Sequence, residues 1–354
     1  MSGQYEVVTA DQLPAADLNA FLERVYPPAK SRFLQAHGAW WHHGNENRWA
    51  IIHGSAVVAY CAIIPTRCLL DGQAESTLWW VDLIVLPEYR GQGLQRLFDE
   101  KVRHAADLKL GFPNELAAKI HLKHGWGVRD DLRYMVLPLA PRALKRVRTS
   151  RGLQGALLRT AAAAATPFAS LLRGALGRYT PLSARRVDQP DAHVLADVFI
   201  RHNANAPAVT TYRDADYIQW RFLDSPYRSE LAFYLCGPER IPTQALITRS
   251  FATPGGRTTR ILDVFGDLSD RAGLRDVVRS AVRDAACSGA AEMTAIASLP
   301  ALVSTLRASG FILSARARFC WHSPSDSKMS LLGERPGHWV MADSDSDDPP
   351  ADAA

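Results

Sequence analysis

Apolar and polar positions along the chain fall into two successive rounds of the same order. In the first round, Tyr5 to Thr9 reads as a strand, and Pro14 to Val25 as a helix with Leu18, Phe21 and Leu22 on one side. Residues 26–48 hold no clean period and read as irregular, though rich in Trp40, Trp41, His42 and His43. Arg48 to Ile52 and Ala56 to Ile64 predict a hairpin around His53-Gly54-Ser55. Thr66 to Leu70 and Thr77 to Leu86 predict another around Asp71-Gly72-Gln73, and Ala56 to Leu70 also reads as one strand bent at Pro65. Leu94, Leu97, Phe98, Val102 and Ala105 then recur at the helical period. Leu108 to Phe112 is a short segment leading to Pro113-Asn114. Glu115 to His124 is a helix stopped by Gly125, and Arg129 to Leu137 closes the round as a strand.

A linker, Pro141 to Pro181, is arginine-rich and then alanine-rich, with Pro167 breaking what would otherwise be helix. The second round follows. Arg185 to Asp188 opens it, and Asp191 to Arg201 and Asp214 to Phe222 read as helices. Leu231 to Cys236, Gln244 to Arg249 and Arg260 to Val264 alternate as strands. Leu274 to Ala286 is a helix, Glu292 to Ile296 a strand, Leu299 to Ala308 a helix and Ile312 to Trp321 a strand. Gly310-Phe311 stands where Gly125-Trp126 stood.

The chemistry concentrates between Trp79 and Val128. An apolar run ends at Pro87, and the turn Arg90-Gly91-Gln92-Gly93 opens a helix. A helix start carries unpaired N–H groups and the positive end of the dipole. Gly91 and Gly93 have no side chain to hold a phosphate away from those donors, and Arg90 adds a fixed charge with a forked donor. Strand, glycine turn and helix together predict a pyrophosphate cradle. The turn is neither a G-x-x-x-x-G-K-[ST] loop nor a G-x-G-x-x-G turn, since Leu94, Gln95 and Arg96 follow Gly93.

In these residues the chain resembles the GNAT superfamily of acyl-CoA-dependent N-acyltransferases. Their signature, [RQ]-x-x-G-x-[GA] after a strand, is met by Arg90 and Gly93, with Gln95 where Gly or Ala is usual. A second pattern, N-x-x-A-x-x-x-Y-x-x-x-G-[FW], is met by Asn114, Ala117, Gly125 and Trp126, with His121 in the tyrosine slot. The resemblance covers residues 4–139. It implies an α/β fold on a mixed sheet, in two tandem GNAT-like domains. The expected boundaries are 1–140 for the catalytic domain, 141–183 for a basic helical linker, 184–323 for a degenerate copy and 324–354 for an acidic tail. The copy has FGDLSDRAGL at its turn, with acids in place of the signature, and is expected to bind CoA poorly or not at all. The block DADYIQWRFLDSPY, with Trp220, Arg221, Pro226 and Tyr227, resembles a pattern of bacterial two-domain GNAT-like proteins. Read from the residues alone, Trp220 is core and Arg221 a cap.

Composition narrows the alternatives. The 354 residues, 47% hydrophobic and 22% charged, suit a soluble chain of two domains. Five scattered cysteines (Cys61, Cys68, Cys236, Cys287, Cys320) argue for a reducing compartment and against a disulfide frame or a zinc site. The N-terminus has acids and no apolar core, so a cytoplasmic protein is expected. The net charge of +5 is an average. Ten Lys and Arg with no acid lie between Arg142 and Arg186, which leaves −5 for the remainder. That segment, with Leu153, Leu157 and Leu158, is a candidate for peripheral contact with the inner face of a membrane. It has only Phe168 and Tyr179 for stacking and no base-reading motif, so nucleic acid is not expected. Asp343, Asp345, Asp347 and Asp348 are spaced like the start of a calcium loop. They lack its Gly and Glu, so a flexible acidic tail is expected there and no metal.

The resemblance also implies site roles. Leu83, Ile84 and Val85 would hold the pantetheine of acetyl-CoA or another acyl-CoA. Arg90, Gly91, Gln92, Gly93, Leu94 and Gln95 would take its pyrophosphate, and Asn114 would support the donor side. His121 stands in the slot of the acid for the leaving thiolate, a job a histidine can do near neutral pH. Asp82 is the nearest carboxylate to accept the amine proton, or else it bonds a neighbouring loop. His42 and His43 lie in the region that forms the acceptor side. The expected activity is transfer of an acyl group to the primary amine of a small molecule. Alternatives are a membrane-associated long-chain N-acyltransferase using acyl-CoA or acyl-ACP, and a noncatalytic GNAT-like binding protein.

Overall fold

The computed structural model describes residues 5–140, 160, 183–203, 209–253 and 255–344. Apart from Thr160 and its end from Ser183, the linker lies outside the described residues, and with it most of the basic run and the membrane contact expected there. The acidic tail from residue 345 lies outside them too.

In chain order the elements begin with β1 (Tyr5–Thr9), α1 (Ala15–Val25), α2 (Pro28–Trp41), β2 (Arg48–His53), β3 (Ala56–Leu70) and β4 (Gln73–Val85). They continue with α3 (Gln95–Val102), β5 (Leu108–Gly111), α4 (Glu115–Lys123) and β6 (Gly127–Pro138). After the linker come β7 (Arg185–Val187), α5 (Ala192–Asn203), β8 (Val209–Thr211), α6 (Ala215–Ile218), β9 (Leu231–Cys236), β10 (Gln244–Thr253) and β11 (Gly256–Gly266). The chain ends with α7 (Arg271–Cys287), β12 (Ala290–Ala297), α8 (Pro300–Ala308), β13 (Ile312–His322), α9 (Asp326–Glu334) and β14 (Gly337–His338).

Two compact units divide these elements. Unit 1 holds the described residues up to Arg129, Arg318–Arg335 and those from Asp343; unit 2 holds the described residues of Asp130–Ala317 and Pro336–Ala342. The strand order in unit 1 is β1-β2-β3-β4-β5-β13, and in unit 2 β7-β9-β10-β11-β12-β6. Along each of these paths the one parallel step falls in the same place, β4 beside β5 and β11 beside β12, and off the path β14 pairs in parallel with β8. The repeat read in the sequence is thus a repeat of topology.

The boundaries at 140 and 184–323 do not describe these units. β6, expected to close the first sheet, pairs along Arg133–Pro138 with β12 in unit 2. The end of β13, expected to close the second, pairs along Cys320–His322 with β5 in unit 1. The segment expected as tail is also structured up to Ser344. It forms α9, and Gly337–Ala342 is buried in unit 2 with Trp339 fully enclosed.

In unit 1, β3 is buried almost along its length, as a strand covered on both faces must be. It turns into β4 at Asp71-Gly72, both at positive φ, the two-residue turn that matches strand twist. On one face Phe21 of α1 meets Tyr60 of β3. On the other, Phe98 and Val102 of α3, with Leu94 at its cap, pack over Ile51, Cys61, Leu78 and Trp80. Phe98 is fully buried, and truncating such a residue to Ala costs about 3–5 kcal/mol. Region 26–48, read as irregular, contains α2. Its buried positions include Ser31 and Gly38, which dilute the apolar period. Gly38 leaves room for the buried Arg48 guanidinium, which a Cβ there would approach to 2.9 Å and displace. Among the described residues no helix is long and apolar enough to cross a membrane.

Candidate active site

β4 and β5 pair from Thr77↔Leu108 to Trp79↔Leu110 and no further. Beyond that point β4 bulges. Tyr60↔Ile84 and Ala62↔Val81 leave one extra residue on β4 against Cys61 of β3. The bulge is set by Asp82, at φ 55°, a left-handed conformation that costs a non-glycine residue roughly 1–2 kcal/mol. A bulge leaves a residue out of the ladder and re-aims its backbone groups. Asn114 turns the chain away from β5, its side chain accepting from the Ala117 N–H at 2.9 Å to cap α4. Between the parted strands lies a cavity of about 220 Å³. Asp82, Leu83 and Ile84 form one wall and Gly111 and Phe112 the other, with Lys30 and His121 also facing it.

The Asp82 carboxylate is fully buried and fully engaged. Lys30 Nζ is 2.8 Å from Oδ1, Tyr26 donates to Oδ1 at 3.0 Å, and His42 Nε2 is 3.0 Å from Oδ2. His42 Nδ1 faces the Gly38 carbonyl at 2.9 Å. Burial alone would raise the carboxyl. The Lys30 charge and the His42 hydrogen bond outweigh it and hold Asp82 well below the usual carboxylate range. A carboxylate so stabilised is a weak proton acceptor. Of the two histidines, His42 is enclosed beside Asp82, whereas His43 sits exposed at the turn after α2 with φ 57°.

His121 projects from α4 into the same cavity. Its ring lies 4.3 Å from the Trp126 ring and 6.0 Å from that of Trp80, and Nδ1 has no hydrogen-bond partner among the described residues. Burial, with the His124 and His322 charges, pushes its pKa down to about 4. The ring is therefore neutral at physiological pH, and burial removes the near-neutral titration that the sequence led one to expect. A neutral imidazole can donate one hydrogen bond but does not act as a strong acid.

The glycine turn lies at the end of β4. Gly91 and Gly93 have φ 79° and 75°, and a Cβ added at either would meet nothing within 4 Å. Leu94 caps α3 without a side-chain hydrogen bond, and no acid lies in the first turn. Arg90 is exposed, with Nε donating to the Val85 carbonyl at 3.1 Å. Gln92 accepts from the Tyr5 hydroxyl. The matching turn of unit 2 is closed. Asp270 accepts from the N–H groups of Ala272 and Gly273, and Asp267 from those of Ser269 and Asp270. A Cβ on Gly266 would lie 2.2 Å from the Thr243 carbonyl oxygen. Open donors in one unit and carboxylate-filled donors in the other make the two turns chemically opposite.

Unit 1 therefore gathers Asp82, Leu83, Ile84, Asn114 and His121 at one cavity, with His42 enclosed behind Asp82 and Gly91 and Gly93 beyond the end of the same strand. It leaves His43 apart from them. Tyr26 and Lys30 were not read from the sequence. The only signal there was Pro27-Pro28 ahead of a plausible helix start. Cys320 reaches the cavity by long-range pairing with Gly111, which no local pattern reports.

Several solved structures share this architecture. A GCN5-related N-acetyltransferase from Anabaena variabilis matches 95% of this chain and 82% of its own, with TM-score 0.59 and 16% identity. Saccharomyces cerevisiae N-myristoyltransferase, solved with bound myristoyl-CoA, matches 90% of this chain and 82% of its own, with TM-score 0.59 and 13% identity. A GCN5-related N-acetyltransferase from Kribbella flavida matches 93% of this chain and 73% of its own, with TM-score 0.55 and 16% identity. Neither a family model nor a curated protein matches the chain. At these identities the likeness is one of fold: a mixed α/β, tandem GNAT-like arrangement over most of the chain.

Proposed function

We propose that unit 1 is an acyl-CoA-dependent N-acyltransferase acting on the primary amine of a small molecule, with acetyl-CoA the first donor to test. One juxtaposition carries the reading. A helix start opened by Gly91 and Gly93, free of any side-chain cap, follows directly from a bulged strand that parts from its parallel neighbour. Backbone N–H groups from Gly91 to Gln95, with Arg90, would bind the pyrophosphate. The β5-facing edge of Leu83 to Val85, beyond the last ladder pair, would take the pantetheine amides, and Asn114 would hold the opposite wall.

At the thioester, a backbone N–H released by the bulge would face the carbonyl oxygen on which charge develops. The amine nitrogen forms a bond to the acyl carbon, the carbon–sulfur bond breaks, and the amine proton passes to water in the open cavity. The neutral His121 ring would donate a hydrogen bond to the departing sulfur. Asp82 is held too firmly to take a proton. Its part is to fix the left-handed turn of the bulge and to pair with Lys30 and His42 on the acceptor side.

Release of CoA thiol, measured with acetyl-CoA and a panel of amines, tests the reading; amine-dependent release is expected. Acyl-CoA binding without release under any pairing would leave a binding protein. The bound myristoyl-CoA of the yeast neighbour favours one second reading, a long-chain donor. Comparing acetyl and myristoyl donors separates the two.

A further inference from the structure

A second cavity in unit 1, also about 220 Å³, lies between the last turn of α3, the start of β5 and the end of α4. Trp80 and Trp126 face both cavities, their rings 5.8 Å apart. Apart from Val102, the remaining lining is polar or ionisable. Arg103, Lys109, His124 and His322 are set against a single acid, Asp99.

Two of these groups are poorly satisfied. Lys109 is buried at 7% exposure, and among the described residues its Nζ donates only to the Arg103 carbonyl, at 3.4 Å. His322 Nδ1 is buried with no hydrogen-bond partner among the described residues, and its ring lies 5.5 Å from that of Trp126. Burying such donors costs free energy unless something accepts from them. The charges report the same tension. Burial pushes the Lys109 ammonium and the His322 ring down, and the Asp99 carboxyl up. An incoming anion would relieve the cations.

We propose that this cavity binds a small carboxylate with a flat apolar body, its carboxylate on Lys109 and Arg103 and its body against Trp80 and Trp126. The size fits. A dry cavity of about 150 Å³ holds benzene, so about 220 Å³ holds one ring and a carboxylate. Lys109 and Arg103 against Asp99 leave one net positive charge, which a monoanion neutralises and a dianion such as phosphate overshoots. Bound there, the ligand packs against the same Trp126 ring on which His121 rests, and so fixes the bed of His121 from behind. The binding itself does not depend on the transferase reading.

Calorimetry on the full chain tests it, with benzoate as probe and benzamide as the uncharged match. Benzoate should bind about tenfold or more tightly than benzamide, as expected when a charged hydrogen bond is at stake. Lys109→Met keeps the packing of β5 and should weaken benzoate by at least that factor. Arg103→Gln, at an exposed position that leaves the core intact, should weaken it less. Equal affinity for benzoate and benzamide, no binding of either, or benzoate binding unchanged in both variants would overturn the proposal. So would displacement of benzoate by CoA together with indifference to Lys109→Met, since the probe would then be in the first cavity.

Discussion

His42 and Asp82 meet through Nε2 and Oδ2 at 3.0 Å, with neither side chain exposed. Both ring nitrogens of His42 face oxygen acceptors, the other being the Gly38 carbonyl. With Lys30 on the second carboxylate oxygen, Asp82 is the only acid in the group and the centre of its charge. Asp82→Asn would leave the Lys30 ammonium with no anion and His42 Nε2 facing an amide. Breaking a buried pair from one side costs about 3–5 kcal/mol, and the slight exposure of Lys30 places the expected loss near the lower bound, ~3 kcal/mol. Urea denaturation measures it. Adding Lys30→Met should recover part of the loss, and failure to recover any would mean the pair is not what Asp82→Asn breaks.

Acid sensitivity follows from the same group and from His121. The folded Asp82 carboxyl lies below its unfolded value, so its contribution is present above the unfolded pKa and is lost as pH falls toward the folded one. His121 is pushed down to about 4. The unfolded ring binds a proton from about 6.5 downward while the folded ring does not, so stability falls as pH drops from about 6.5 to 4. His121→Phe should remove that slope, worth at most about 3 kcal/mol between the two limits. Melts at pH 7.5 and pH 4.5 for both proteins show it, and an unchanged difference would place the acid sensitivity elsewhere. The kcat profile should show no ionisation of His121 near neutrality, and kcat should fall less than the roughly 10²-fold typical of losing a true acid.

The two turns make opposite forecasts for donor binding. Gly93→Asp sets a side chain and a negative charge in the open space above the start of α3; acetyl-CoA affinity should collapse, while the strain of a side chain at φ 75° costs only about 1–2 kcal/mol of stability and the protein stays folded. Asp270→Ala removes a cap that accepts two N–H bonds in unit 2. It should cost ~1 kcal/mol of stability and leave acetyl-CoA affinity unchanged. Calorimetry on both variants separates the units, and a loss of affinity in Asp270→Ala would assign a donor site to unit 2 as well.

Much of this was legible along the chain because it is local. Apolar runs parted by Gly-bearing turns marked β2, β3 and β4, the helical period marked α3 and α7, and Gly91 and Gly93 marked a turn held at positive φ. The acid–base picture was not legible. Asp82 comes from β4 and Lys30 and His42 from the two ends of α2, and their electrostatics depends on burial that a linear pattern does not carry. α2 escaped because Ser31 and Gly38 occupy buried positions where periodicity looks for apolar residues. The exchange of the closing strands escaped for another reason. β6 and β13 are each followed by plausible boundaries, and nothing in either strand says which sheet it completes.

That exchange gives the last prediction. Unit 1 needs Arg318–Arg335, which a fragment ending at residue 140 lacks. Cys320 completes the ladder on Gly111 and is fully buried, and Phe319 lies 6.3 Å from the Trp79 ring. Gly127 is kept free of a Cβ because the Trp321 indole would lie 2.2 Å from it. Lys328 reaches Glu75 at 2.8 Å and Arg335 reaches Asp71 at 3.3 Å. The same fragment would carry Arg133–Pro138 without the β12 strand it pairs with in unit 2. It would thus expose one unpaired strand edge on β5 and one unpaired strand in β6, both templates for aggregation. Residues 1–140 alone should therefore be insoluble or lack a cooperative melt. Coexpression with residues 183–354 should restore a soluble complex that melts cooperatively. A fragment 1–140 that folds alone with the stability of the full chain would show that the exchanged strands are dispensable to unit 1.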